Sequence, residues 1–190
     1  TARFDEEHLE VGVTPHHLFL TEDDVRTLGP LGRMKPELKT HADQQALWDA
    51  IAAGVVDVVE SDHAPHTLAE KQSDAPPSGV PGLETTLPLM LTAVHERRLS
   101  LERVIDLVAL NPQRIFGVAP GPETYTLVDL DARYTIARGD LRTACGWSPF
   151  EGMPVVGRVR EVWIRGVQAF DGEAVRVAPG FGCNLYGRES

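Results

Sequence analysis

Cysteine, aromatic side chains, basic charge and long apolar runs are all scarce in this 190-residue sequence. Each scarcity excludes something. Two cysteines, Cys145 and Cys183, build neither a disulfide framework nor a zinc cluster, a usage that suits a reducing cytosol. They are expected to pack as small apolar groups. With 18 Lys and Arg against 28 Asp and Glu, the net charge is −10, so no basic stripe can neutralise a run of phosphates. Trp48, Trp147 and Trp163 lack interleaved basic residues, which argues against base stacking. Nucleic acid is therefore not an expected partner. No window reaches about 18 uncharged apolar residues, which excludes a membrane-spanning helix, and no secretory signal is recognised. Thr1 in place of Met points to a processed chain or a fragment.

What is present is an ordinary apolar fraction of 42%, enough for a sizeable core, with 17 Gly and 14 Pro promising many turns. Up to about residue 120, apolar runs of strand length alternate with helical patterns, the signature of an α/β fold. A strand is predicted from Leu9 to Thr14, ending at Pro15-His16-His17. Thr21 to Asp24 and Thr40 to Asp43 read as capping boxes that start two helices, which stop by Gly29 and Gly54. Val55 to Val59 reads as a buried parallel strand because its apolar residues barely alternate. Residues 67 to 82 form a polar loop. Helices follow over 83–98 and 101–109, the second capped by Ser100, with a last turn from Asn111-Pro112 to Gly117. Beyond Gly121 the pattern is β, over 125–130, 155–164 and 168–177. The chain is thus divided into an α/β part, 1–120, and a C-terminal β segment, 121–190.

Chemistry concentrates in Ser61-Asp62-His63-Ala64-Pro65-His66, immediately after the second predicted strand. Strand C-termini are the face where parallel α/β barrels build their active sites. Asp62 there could bind a metal or move a proton, and His66 could reach the same pocket. The competing reading of Asp62 is a helix cap or surface turn. His16 and His17 invite a metal reading too, but neighbours on an extended chain point opposite ways, which favours one packed and one hydrogen-bonded histidine. His8, His41 and His95 read as surface residues.

Several strings carry a resemblance: VTPHHLFLTEDDV (13–25), LWDAIAAGVVDVVESDHAPHTLAEK (47–71), GVPGLETTLPLMLTAV (79–94), NPQRIFGV (111–118) and WSPFEGMPVVGRVREVWIRG (147–166). Together they resemble dihydroorotase, above all the form fused within the multifunctional animal pyrimidine-synthesis protein. The resemblance implies a metal-dependent amidohydrolase on a (β/α)8 barrel with a small β-sheet unit. It also implies interconversion of L-dihydroorotate and N-carbamoyl-L-aspartate, with zinc, two ions, as cofactor. Asp62 would bind metal and act as general base and acid, moving a proton from the attacking water to the leaving ring nitrogen. His66 would contact the substrate carboxylate. Lys35 falls where the family has Arg or Asn lining the substrate pocket, and Val80-Pro81 would line it with backbone groups. Hydantoinases and allantoinases lack the histidine at position 66, which disfavours that reading. The family's zinc histidines lie elsewhere than His16 and His17, and its glutamate just before that pair is Gly12 here.

The resemblance also shows what this stretch does not carry. The His-x-His of the first strand, the metal-bridging lysine and the histidines of the fifth and sixth strands have no counterpart. A full barrel takes roughly 250 residues, so at most half is expected, including strands seven and eight. The chain is accordingly expected to be inactive alone and to need the N-terminal half as its partner. A cytoplasmic homo-oligomer working beside other pyrimidine-synthesis enzymes is the expected setting. The alternative is a non-catalytic dihydroorotase-like scaffold for such enzymes.

Overall fold

The computed structural model describes residues 9–185; His8 lies outside them. Two strands sit side by side and parallel: β1 (Gly12–Val13) and β2 (Val58–Val59), with Gly12 opposite Val58 and Val13 opposite Val59. Parallel pairing requires a crossover, and α3 (His41–Ala52) supplies it. Its Thr40 cap and Asp43 exchange bonds as the sequence predicts. Helix α2 (Glu22–Leu28) begins at the other predicted box and ends at Gly29.

Two findings depart from the sequence reading near β1. The strand is short, and Pro15–Phe19 forms a helix, α1, rather than an extended exit. Proline at the first helical position explains the switch, since its fixed φ suits a helix start and its missing N–H costs nothing there. The second strand is likewise shorter than 55–59. The Val55 N–H bonds the Ala50 carbonyl at the end of α3, and the Val56 and Asp57 carbonyls accept from Arg103 and Asn111 side chains.

After a four-residue helix, α4 (Leu68–Lys71), the long α5 (Leu83–His95) crosses the molecule. Helix α6 (Leu101–Ile105), capped by Ser100, widens into a π-helical turn over Asp106–Leu110 before α7 (Asn111–Phe116), which stops at left-handed Gly117. An antiparallel sheet follows: β3 (Tyr125–Thr135), β4 (Pro154–Ile164) and β5 (Val167–Phe170), with β4 central.

Two apolar clusters hold this together. One joins both parallel strands to α1, α3, α5 and α6 through Val13, Leu18, Trp48, Val59, Met90 and Val104. The other joins α5 to the β segment through Leu89, Met34, Val80, Trp147, Phe150 and Val155. Helix α5 serves both. Its Thr92 hydroxyl accepts the Val156 N–H at 2.9 Å, tying the helix to β4. The cysteines behave differently from one another: Cys145 borders the second cluster, but Cys183 is exposed beside Arg165 and is not a packing residue.

Candidate functional site

Strand β2 delivers the chain through Glu60-Ser61 to Asp62, whose φ of 43° is left-handed. Few side chains tolerate that region, and Asp is among those that do. Such a conformation costs about 1–3 kcal/mol and clusters at functional sites. The Asp62 side chain is 47% exposed, so its carboxylate keeps access to solvent and to any bound molecule.

Facing it is His16. The helical turn of α1 rotates this residue inward until it is 1% exposed, and its Nε2 stands 3.7 Å from Asp62 Oδ2. That nitrogen has no hydrogen-bond partner, the one such buried side-chain atom among the described residues. Burial, with some repulsion from His17, lowers the His16 pKa to about 4 and keeps the ring neutral at neutral pH. His17 has two partners: Thr14 Oγ1 at 2.7 Å on Nδ1 and the Pro36 carbonyl at 3.1 Å on Nε2. A carbonyl can only accept, so Nε2 of His17 carries a proton. The expected division into one packed and one hydrogen-bonded histidine holds, but on a helix instead of an extended chain.

Beyond Asp62 the chain pairs briefly with the loop before α5. His63 bridges Val80, the Ala64 N–H bonds the Val80 carbonyl, and His63 Nδ1 accepts the Gly82 and Leu83 N–H groups at 3.1 and 3.4 Å. A histidine thus satisfies the first donors of α5, where Gly82 has no side chain to do so. The approach is close. A methyl group on Gly82 would lie 2.3 Å from the Ser61 carbonyl oxygen, and one on Gly79, at φ 124°, would lie 2.6 Å from that of Ala64. Gly82→Ala is therefore expected to destabilise the complete protein by about 1–3 kcal/mol in a denaturation experiment, because backbone on both sides must move.

His66 donates from Nε2 to the Ser78 carbonyl at 3.1 Å, leaving Nδ1 for a ligand, and its own carbonyl accepts the Trp147 indole N–H at 2.8 Å. Val80 and Pro81 are buried, and Lys35 is exposed in a cleft shared with Arg33 and Ser78. Among the described residues no hydrogen bond or ion pair joins Asp62 to His66 or Lys35.

What gathers these loops is a residue to which the sequence assigned nothing. Lys71 is fully buried, and its ammonium donates to the Arg33, Pro77 and Gly79 carbonyls at 2.9, 2.9 and 3.1 Å. It also lies 5.6 Å from the Trp147 ring centre. Burial, and the charge of Arg33, lower its pKa. One ammonium thus ties together the segment before Lys35, the segment before Val80, and the tryptophan that holds His66. The signal available was a third capping box, Thr67 to Glu70, which starts α4 and ends it on Lys71.

Glu60 was also unassigned. Its carboxylate fills the space beside Gly12, where a Cβ would meet Oε1 at 2.8 Å. No group of three or more His, Cys, Asp or Glu among the described residues could hold a metal ion. The exposed carboxylate of Asp62 could supply one ligand.

No family model matches the chain. It is 44% identical over 182 residues to the multifunctional protein pyr1-3 of Dictyostelium discoideum, a match covering 95% of this chain and 8% of that protein. It is 48% identical over 179 residues to the dihydroorotase of Halobacterium salinarum, covering 86% and 42%. Among solved structures, L-hydantoinase (dihydropyrimidinase) from Arthrobacter aurescens superposes with a TM-score of 0.83 at 30% identity, covering 88% of this chain and 40% of that one. The inactive dihydroorotase-like domain of the Chaetomium thermophilum CAD-like multifunctional protein gives 0.69 at 26%, covering 90% and 46%. The chain spans less than half the length of each of these proteins. In sequence the chain is similar to less than half of a dihydroorotase, and in fold to a segment of the same extent in a hydantoinase and a dihydroorotase-like domain.

Proposed function

We propose that this chain supplies the Asp62 end of a dihydroorotase site, in which L-dihydroorotate and N-carbamoyl-L-aspartate are interconverted. The observation that carries the reading is the placement of Asp62: an exposed carboxylate just past the C-terminal end of a parallel strand, held at φ 43°. Residues outside this chain complete the barrel, and the division at residue 120 separates barrel from β segment. Zinc, two ions, is the proposed cofactor, with Asp62 as this chain's ligand. When bound it supplies Lewis acidity at the ring carbonyl and a more acidic water.

This chain's own residues do the remaining work. In ring opening, Asp62 accepts a proton from the attacking water and returns it to the departing ring nitrogen. Without that transfer the amide nitrogen would leave as a high-energy anion. His66, its ring oriented by the bond from Nε2–H to the Ser78 carbonyl, contacts the substrate carboxylate, with the ammonium of Lys35 as the charged donor and the backbone of Val80-Pro81 beside it. Lys71 holds the loops that carry these groups.

The setting is proposed to be a cytoplasmic homo-oligomer associated with other pyrimidine-synthesis enzymes. The test is dihydroorotate turnover and metal content of the complete protein. Turnover with zinc bound is expected, and replacing His66 with Asn should weaken dihydroorotate binding far more than that of an analogue lacking the carboxylate. A complete protein that neither turns over dihydroorotate nor retains metal would instead be a non-catalytic dihydroorotase-like partner.

A further inference from the structure

We infer that His16 is the positioning residue of Asp62: its Nε2–H donates to one carboxylate oxygen, leaving the other turned toward the reacting groups. The inference rests on the reading of Asp62 as the reacting carboxylate. Its physical basis is independent of that reading.

A buried polar nitrogen without a partner costs about 1–3 kcal/mol, so native structures rarely keep one. His16 Nε2 is such an atom, in a ring 1% exposed, and an acceptor stands 3.7 Å away. The two partners differ in freedom. The ring of His16 is fixed by its burial and by the tilted ring of His17, 4.5 Å between centres. The Asp62 side chain is half-exposed and can rotate toward it. A closing movement of under an ångström makes the bond, and catalytic hydrogen bonds are often long in unliganded structures and tighten with ligand. Asp62 has no other hydrogen bond among the described residues, so nothing else there selects its rotamer. A lone carboxylate on a strained turn explores several rotamers; one held from behind presents a single oxygen.

Two alternatives make different statements about the same nitrogen. As a packing residue, His16 would need no proton on Nε2. As a second metal ligand, it would have a bare Nε2. The experiment is long-range proton–nitrogen spectroscopy of the complete protein with selectively labelled histidine. His16 is expected to carry its proton on Nε2, with a signal that moves in Asp62→Asn. A proton on Nδ1, or a metal-shifted Nε2, overturns the inference. This readout needs no turnover, so failure of the dihydroorotase reading would appear separately, as an inactive wild-type protein with the same ring signal.

Kinetics gives the second arm. His16→Gln keeps an N–H donor at the same reach, whereas His16→Met keeps bulk without a donor. If the wild type is active, Met is expected to lower kcat about 10–100-fold with KM little changed, and Gln to recover most of it. Equal loss in both variants, following their thermal stability, identifies a merely structural histidine and overturns the inference. Should the Met variant fail to fold, the wild-type spectrum and the Gln variant still decide.

Discussion

Lys71→Met is expected to destabilise the complete protein by about 3 kcal/mol or more, measured as the shift in free energy from denaturant unfolding. The ammonium satisfies three carbonyls, those of Arg33, Pro77 and Gly79, and is itself buried. Hydrogen bonds to a charged donor contribute about 1.5–3 kcal/mol each, although three at one atom are not additive. Against them stands the desolvation that lowers the Lys71 pKa. Methionine removes the desolvation cost along with the bonds, but it leaves three carbonyl groups facing a thioether. Arginine is no substitute, because its donors lie in one plane whereas the three carbonyls belong to two separate chain segments closing on one point. A loss under about 0.5 kcal/mol in Met would mean that water satisfies these carbonyls equally well and that Lys71 is not the tie between the loops.

Why was this lysine illegible in the sequence while much else could be read? Capping boxes are local. Thr21 and Thr40 each make the bonds that their neighbours three residues on predict, and Ser100 accepts the Arg103 N–H as a cap should. The left-handed stop at Gly117 and the β character of the last segment are likewise functions of a few adjacent residues. Strand length is not local. Whether Val55 to Asp57 belong to a strand depends on Arg103 and Asn111, some fifty residues on, which take the Val56 and Asp57 carbonyls. The helix at Pro15–Phe19 is signalled locally by its proline, whereas the apolar run that precedes it favours an extended exit. Only the helical path turns His16 inward. Asp62 could be picked out because a polar string follows an apolar strand. The elements that fix its surroundings could not: Lys71 and Trp147 stand 76 positions apart, and a buried lysine has no pattern that distinguishes it from an exposed one.

The largest effect on activity is expected at Asp62 itself, and the choice of replacement matters. Alanine would remove the carboxylate but also sit poorly at φ 43°, so any loss would mix chemistry with backbone strain. Asparagine tolerates the left-handed region and keeps the shape of the side chain while losing the ability to accept a proton. In the complete protein Asp62→Asn is expected to lower turnover by about 10²–10⁴-fold, the range for removing a positioned general base or acid. Its unfolding free energy should change by less than about 1 kcal/mol, because the side chain is 47% exposed and makes no hydrogen bond among the described residues. The two measurements together separate a chemical role from a structural one. A large loss of turnover with unchanged stability places the carboxylate in the reaction. Turnover retained within tenfold would return Asp62 to the surface turn that its sequence position equally permits. The proton transfer would then need another group, and Glu60, whose carboxylate fills the space beside Gly12 of the neighbouring strand, would be the next to replace.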